Sequence, residues 1–254
     1  MDYQYFKFSE NEIICKNNLF SSSQYQIKID RELEVLNKNN LLTRLRNIWN
    51  EYSKDILKSG YLEQLNRTVE LLLQDKKNEI TMIDLGGGYG DNFYNFRRFN
   101  ETKLKNIKYF VVDKERKLLK IGQDRFQNLK SVFFQSSFPK KPITILLLVG
   151  TLQYIKNFEK IITKINFEKR SYIYLSRTLF TNFKKNFFSI QRIRGGRNIE
   201  QLVIINSLES FIKSMSRYGF KEKFIKKNQL ISNHFKDLPA NQKINYFDLL
   251  LEKL

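Results

Sequence analysis

The chain has little of what several protein classes require. Its 254 residues hold one cysteine, Cys15, and one histidine, His234. One cysteine cannot build an internal disulfide framework. Together, Cys15 and His234 are too few soft ligands for a zinc site, so no metal is expected. The expected compartment is a reducing one, the cytoplasm. No apolar run approaches the ~18–20 residues of a transmembrane helix. Met1 to Phe20 is interrupted by Lys7, Glu10, Glu12 and Lys16, so it does not read as a signal peptide. Low-complexity repeats are absent. Acidic residues are also scarce: 26 stand against 45 Lys and Arg, for a formal net charge of +19.

Such a surface attracts nucleic acid, anionic lipid or anionic small molecules. The lysines are spread along the chain, however, and no tight Arg-rich stripe with interleaved aromatics occurs. The whole composition leans toward Lys, Asn and Ile, so the charge follows composition and nucleic acid is the less favoured partner. Lysine-rich surfaces equally suit acceptors that carry phosphate, such as nucleotide sugars or lipid-linked glycans. Peripheral contact with an anionic membrane stays open. With 41% hydrophobic residues the chain is globular, and its length suffices for one full core plus a small appendage.

The richest stretch is Ile80-Thr81-Met82-Ile83-Asp84-Leu85-Gly86-Gly87-Gly88-Tyr89-Gly90-Asp91. A β-prone apolar run meets an acid and then turns through four glycines in five positions. Glycine is needed where φ is positive or where a ligand must lie against the backbone. A loop of this kind, between a strand and a helix, forms the ligand crevice of an open α/β sheet. Asp91 is placed to cap the following helix, Asn92 to about Phe99. The loop does not fit the dinucleotide fingerprint G-x-G-x-x-G: counted from Gly86 and Gly88, the third glycine falls on Asp91, an acid that would repel a pyrophosphate. Nor does it have the Lys-Ser/Thr ending of a P-loop.

Lys108-Tyr109-Phe110-Val111-Val112-Asp113 reads as a second strand ending in an acid. At this place in doubly wound folds an acid accepts hydrogen bonds from ribose hydroxyls; alone, it would read equally well as a solvated strand end. A third strand, Ser131 to Gln135, ends at Ser136-Ser137. The fourth, Ile143 to Val149, is apolar except for Thr144, as suits a strand buried on both faces of a parallel sheet. It runs into Gly150-Thr151-Leu152-Gln153-Tyr154-Ile155. Alternating strands and helical segments argue for an α/β fold.

Asp84-x-Gly86-x-Gly88-x-Gly90 is the pattern of motif I in class I S-adenosylmethionine (SAM) methyltransferases. SAM has no phosphate and its sulfonium is cationic, so an acid at the loop is tolerable. The chain resembles, more narrowly, a family of SAM-dependent methyltransferases associated with bacterial surface-polysaccharide loci. The resemblance spans about residues 80–220. It rests on Asp84-Leu85-Gly86-Gly87-Gly88-Tyr89-Gly90, on Val111-Val112-Asp113 with Gly122 downstream, and on Gly150-Thr151-Leu152-Gln153-Tyr154-Ile155. It continues in Leu175-Ser176-Arg177-Thr178 and Phe187-Phe188-Ser189-Ile190-Gln191. Asp113 stands where Glu is more usual, and Thr144 where the fourth strand commonly begins with Asp, a change that weakens the register there. The resemblance implies a Rossmann-like sheet of seven strands, mostly parallel, with the last strand inserted antiparallel and helices on both faces. It implies SAM as cofactor, held by Asp84, Gly86, Gly87, Gly88, Gly90, Asp113, Ser136 and Gly150. It supports the cofactor better than the acceptor, which is expected to be a small molecule or a glycan.

Residues 1–36 are polar with short strand-like pieces. Leu41 to about Asp75 has apolar residues at helical spacing, read as two helices divided at Ser59-Gly60. These first 78 residues are expected to cover the site. Residues 79–254 would be the cofactor domain, with helices after each strand, Phe158 to Phe167 among them, and Tyr172 to Leu175 as strand five. Residues 177–206, aromatic and basic with Gly195-Gly196 inside, form an insertion near the acceptor. Ser207 caps a helix to Arg217, closed by Gly219. Two last strands cover about Phe220–Ile225 and Ile244–Leu251.

Gln153, Tyr154, Arg177 and Gln191 come from the crevice side and could hydrogen-bond an acceptor, although a Tyr and an Arg near strand ends can also simply brace loops. A hydroxyl acceptor needs its proton removed by a positioned base. His234 has the right chemistry but lies in a polar loop, Asn228 to Asn241, and no catalytic residue is assigned. Trp49 reads as core packing. An RNA or protein methyltransferase, or a silent SAM-fold binding subunit, are the alternatives.

Overall fold

The computed structural model describes residues 2–5, 8–9, 12–15, 18–21, 63–75, 79–193, 199–228, 234–235 and 244–254. It divides into two compact units. The first comprises residues 1–59, 179–210 and 229–245; the second comprises 60–178, 211–228 and 246–254.

The second unit contains the glycine-rich stretch. Its sheet uses β1 (Ile80–Leu85), β2 (Ile107–Val112), β3 (Val132–Gln135), β4 (Ile143–Val149), β5 (Phe167–Thr181), β6 (Phe220–Asn228) and β7 (Ile244–Lys253). The order across the sheet is β3-β2-β1-β4-β5-β7-β6. The pairs β3–β2, β2–β1, β1–β4 and β4–β5 are parallel, and β7 runs antiparallel to β6. The mostly parallel order and the inserted antiparallel strand are as expected; among the described residues the sheet itself runs to eleven strands, more than the seven expected. The apolar runs of β1 and β4 are buried over nearly their whole length, as strands covered on both faces must be. Thr144 is fully buried in β4. Its hydroxyl takes the Thr81 N–H at 3.2 Å and donates to Glu168 at 3.1 Å. The β4–β5 register shifts at this residue.

Among the described residues the α-helices are α1 (Glu63–Asp75), α2 (Asp91–Asn100), α3 (Arg116–Arg125), α4 (Phe158–Ile162) and α5 (Leu208–Arg217). In α1, Leu65, Val69 and Leu72 are spaced for one face and are buried. The Asn100 amide donates to Asn66 at 2.7 Å, and Lys103 pairs with Glu70 at 2.6 Å, tying α1 to the end of α2. Phe93 and Phe96 of α2 pack on Tyr109 of β2, with ring centroids 4.9 and 5.6 Å apart. Each contributes about 1.5–3 kcal/mol by burial, which seats the helix that follows the glycine loop. Gly122 of α3 is a packing glycine: the Phe134 ring occupies the place of a Cβ. In α5 the Ser207 hydroxyl accepts the Ser210 N–H at 3.3 Å, and Gly219 follows at φ +82°, as the sequence led us to expect.

Several expectations need correction. No helix joins β3 to β4; residues 136–142, with Pro139 and Pro142, form a loop. Helix α4 ends at Ile162 rather than reaching Phe167. Asn166 offers its carbonyl to the Ile143 N–H at 2.8 Å, and Phe167 opens β5 with its ring edge-on to Phe220 at 5.0 Å. Strand β5 is therefore far longer than Tyr172–Leu175. Asp91 is the first residue of α2, not its cap; Gly90 is the N-cap. Of the two helices expected over 41–75, only α1 lies in the described residues. Trp49 and Gly195-Gly196 lie outside them.

In the first unit, strand Phe187–Ile193 pairs antiparallel with Ile199–Ser207, whose end runs parallel to Phe180–Thr181. Asp2–Tyr5 pairs antiparallel with Ser189–Arg192 and parallel with His234–Phe235. His234 thus belongs to a short strand, not to a loop. Phe8–Ser9, Glu12–Cys15 and Asn18–Ser21 form a separate antiparallel sheet. Much of the expected 177–206 insertion is therefore a strand pair.

Candidate functional site

The carboxyl ends of β1, β2 and β4 carry the loops named by the sequence. The chain leaves β1 and turns at Gly86, φ +73°, whose N–H reaches the Val112 carbonyl at 2.8 Å. It turns again at Gly88, φ +56°, and at Gly90, φ +89°. The four glycines are there for different reasons. A Cβ on Gly86 would strike Thr151, and one on Gly87 would strike the Asp84 carboxylate. One on Gly90 would lie 2.9 Å from the rings of Phe126 and Phe134. At Gly88 the only nearby atom is Leu118 Cδ1 at 3.7 Å. Three glycines admit protein; Gly88 alone of the four faces open ground.

Asp84 lies beneath this loop with no exposed surface. Its carboxylate accepts hydrogen bonds from Asn92 Nδ2 and Tyr109 Oη, both at 3.1 Å. Burial pushes its pKa from 3.8 up to about 7; those two hydrogen bonds oppose the shift, and the negative charges of Asp113 and Asp91 add a little to it. The loop is braced from the side by Arg125, which pairs with Asp91 at 2.8 Å and lies over the rings of Tyr94 and Tyr89, 4.9 and 5.8 Å from their centroids.

Asp113 follows β2 and is half-buried. Oδ2 accepts the Gly88 N–H at 3.0 Å and Oδ1 accepts the Glu115 N–H at 2.9 Å. A carboxylate has about four lone-pair sites, so capacity remains on both oxygens. Asp113 therefore holds the open glycine in place and still presents an acceptor beside it. Ser136 is exposed just after β3. Gly150, at φ +63°, follows β4 and donates to the Ser176 carbonyl at 2.8 Å. Around its missing side chain the nearest atoms are Arg177 O at 3.9 Å and Gln153 Nε2 at 4.0 Å.

Gln153 is 4% exposed, and its Oε1 is buried with no hydrogen-bond partner. Tyr154, beside it, is 40% exposed. Arg177 adopts φ +52°, the only non-glycine positive φ among the described residues. Buried Asp248 of β7 holds it there: one carboxylate oxygen accepts the Arg177 N–H at 3.1 Å and the Ser176 hydroxyl at 2.7 Å. Gly150, Gln153 and Arg177 thus come together. Gln191 belongs to the other unit, on strand Phe187–Ile193. Sequence reasoning missed Asp248, Thr151, Asn92 and Tyr109. Asp248 lies 72 residues from Ser176, and no local pattern marks such a pair.

The chain matches no protein-family model and no curated protein sequence. Solved structures are similar to it. One is the 1,6-didemethyltoxoflavin-N1-methyltransferase of Burkholderia thailandensis, with bound S-adenosylhomocysteine: TM-score 0.59, 10% identity, covering 100% of this chain and 99% of that one. Another is the magnesium protoporphyrin IX methyltransferase of Synechocystis PCC 6803 with bound SAM: TM-score 0.54, 12% identity, covering 89% and 97%. A third is the glycopeptide N-methyltransferase MtfA with SAM: TM-score 0.52, 9% identity, covering 77% and 94%.

The fold is that of the SAM-dependent methyltransferases. On a methyltransferase fold the glycine loop, Asp113 and Gly150 all stand at the strand ends where ligands of open α/β sheets bind. Among the described residues no helix is long and apolar enough to cross a membrane.

Proposed function

We propose that the chain is a SAM-dependent methyltransferase that acts in the cytoplasm on a sugar hydroxyl of a surface glycan or its activated precursor. The observation that carries the cofactor is the pairing of Gly88 with Asp113: an open glycine and a carboxylate with spare acceptor sites, joined by one hydrogen bond. These residues fit SAM. Gly88 leaves room for a ligand against the backbone, Asp113 suits ribose hydroxyls, and no lysine is needed for a phosphate. Ser136 and Gly150 would line the same cofactor. Asp84, sealed under Gly87, serves it by shaping the loop from below, while Gly86, Gly87 and Gly90 let the loop pack closely. Bound SAM would supply an electrophilic methyl group on a cationic sulfonium. The protein's part is alignment and exclusion of water.

The acceptor is read from Gln153, Tyr154 and Arg177, with Gln191 as a further contact. The proteins similar in fold methylate a toxoflavin precursor, a porphyrin and a glycopeptide, so the fold does not choose the acceptor. A glycan is favoured by the resemblance at Leu152-Gln153-Tyr154 and by the dispersed positive charge, which suits a phosphate-bearing precursor. Residues 1–78 and 177–206 would select it. Labelled SAM incubated with the protein and separate pools of RNA, protein and glycan extract tests this. Label in the glycan pool is expected. Label in RNA or protein alone would replace the sugar acceptor with the corresponding macromolecule.

A further inference from the structure

Gln153 is a buried amide whose oxygen the protein leaves unpaired. It occupies the 3-10 turn Leu152–Tyr154, where Tyr154 N–H to Thr151 O at 2.9 Å and Ile155 N–H to Leu152 O at 3.0 Å fix the backbone. Its Oε1 is buried without a hydrogen bond. Leaving a buried amide oxygen unsatisfied is destabilising, and a folded domain has little stability to spare. Three other buried side-chain atoms among the described residues share this condition: Asn100 Oδ1, Ser171 Oγ and Asn206 Nδ2. Asn100 already donates to Asn66 and to the Phe96 carbonyl. Ser171 lies within β5, and Asn206 in the other unit. Gln153 is set apart by its place. Its amide nitrogen lies 4.0 Å from the open position above Gly150, at the ligand end of the sheet.

We propose that Gln153 is the specificity residue of the acceptor site, its amide turning when the acceptor binds so that Oε1, enclosed in the acceptor-free chain, receives the O–H of the hydroxyl to be methylated. This rests on the reading of the chain as a methyltransferase acting on a hydroxyl. A hydroxyl donates and accepts, so it satisfies Oε1 and can also meet the amide nitrogen. A carboxylate only accepts and would leave Oε1 stranded. An amide oxygen is too weak a base to take the proton, so Gln153 orients the hydroxyl and a separate group or water receives the proton. The cost of the empty amide is then recovered when the acceptor binds, and groups that cannot donate are rejected.

Three measurements on Gln153→Met, with Gln153→Leu as a second apolar variant, test this. Removing an unsatisfied amide should raise the Tm of the acceptor-free protein by at least about 2 °C. A fall in Tm in both variants would mark a structural amide and overturn the proposal. Calorimetric titration should find SAM affinity within about threefold of wild type; a loss of tenfold or more would assign Gln153 to the cofactor instead. Transfer of labelled methyl from SAM into the glycan extract should fall by about ten- to hundredfold, and unchanged transfer would overturn the assignment. If wild-type protein labels RNA or protein rather than glycan, the sugar reading fails. The same wild-type-to-variant comparison in that pool then decides Gln153: a matching fall supports an acceptor contact, and equal transfer refutes it.

Discussion

Replacing Asp84 with Asn should change how stability depends on pH. The Asp84 side chain is fully buried under Gly87, and burial raises its pKa from 3.8 to about 7 against the pull of the Asn92 and Tyr109 hydrogen bonds. Between these two values the folded protein holds a proton that the unfolded chain releases. The stability this gives is complete below pH ~4 and is lost as pH rises through about 7. The interval from 3.8 to about 7 corresponds to about 4 kcal/mol. Asn has no proton to lose. Its amide can still accept one hydrogen bond and donate to Tyr109 Oη, so the variant should fold. Stability of Asp84→Asn relative to wild type should therefore rise by up to about 4 kcal/mol between acidic and mildly alkaline pH, which for a chain of this size is about 8–16 °C in relative Tm. Scanning calorimetry of both proteins across this range reads the difference directly, because groups titrating elsewhere move both curves alike. Parallel curves would mean that Asp84 is not desolvated beneath the loop.

Other substitutions probe the rest of the site. Gly88→Ala meets only Leu118 but sits at φ +56°, so it should cost about 1–2 kcal/mol of stability while weakening SAM binding well beyond that; calorimetry with unchanged SAM affinity would free Gly88 from the cofactor role. Asp113→Ala should weaken SAM binding by about 1.5–3 kcal/mol through loss of charge-assisted hydrogen bonds, and a loss under about 0.5 kcal/mol would make it a loop brace only. Asp248→Ala strands the Ser176 hydroxyl and the Arg177 N–H, so denaturant unfolding should show a loss of about 1–3 kcal/mol for each; its methyl transfer should drop more than its SAM affinity, and equal drops would count against a positioning role.

The sequence made some parts of this fold plain and hid others, for physical reasons. Strand β4 is legible to its ends because its run is apolar apart from Thr144, as suits a strand covered on both faces. The loop from Asp84 to Gly90 was recognisable because glycines signal close approach. What each glycine approaches was not readable: Thr151 above Gly86 and Asp84 beneath Gly87 meet the loop through the fold, not through adjacent sequence. The end of helix α4 is not legible because Phe167 fits an apolar helical face as well as a strand start, and only the pairing of Ile143 with Asn166 decides between them. The full length of strand β5 is hidden because Arg177 and its polar neighbours resemble a loop. Asp248, arriving from β7, buries Ser176 and Arg177's backbone within the sheet. Gln153 was legible as a polar residue at a strand end, but its unpaired oxygen exists only in the folded chain.

The proposed function stands first on SAM binding at this site. Purified protein, stripped of small molecules, should take up SAM saturably in calorimetric titration, one per chain, and Gly88→Val should abolish the uptake while remaining folded. Mass spectrometry of the unstripped protein should find SAM or S-adenosylhomocysteine released on denaturation. A folded protein that releases neither and shows no heat of binding with SAM would mean that this site does not bind SAM.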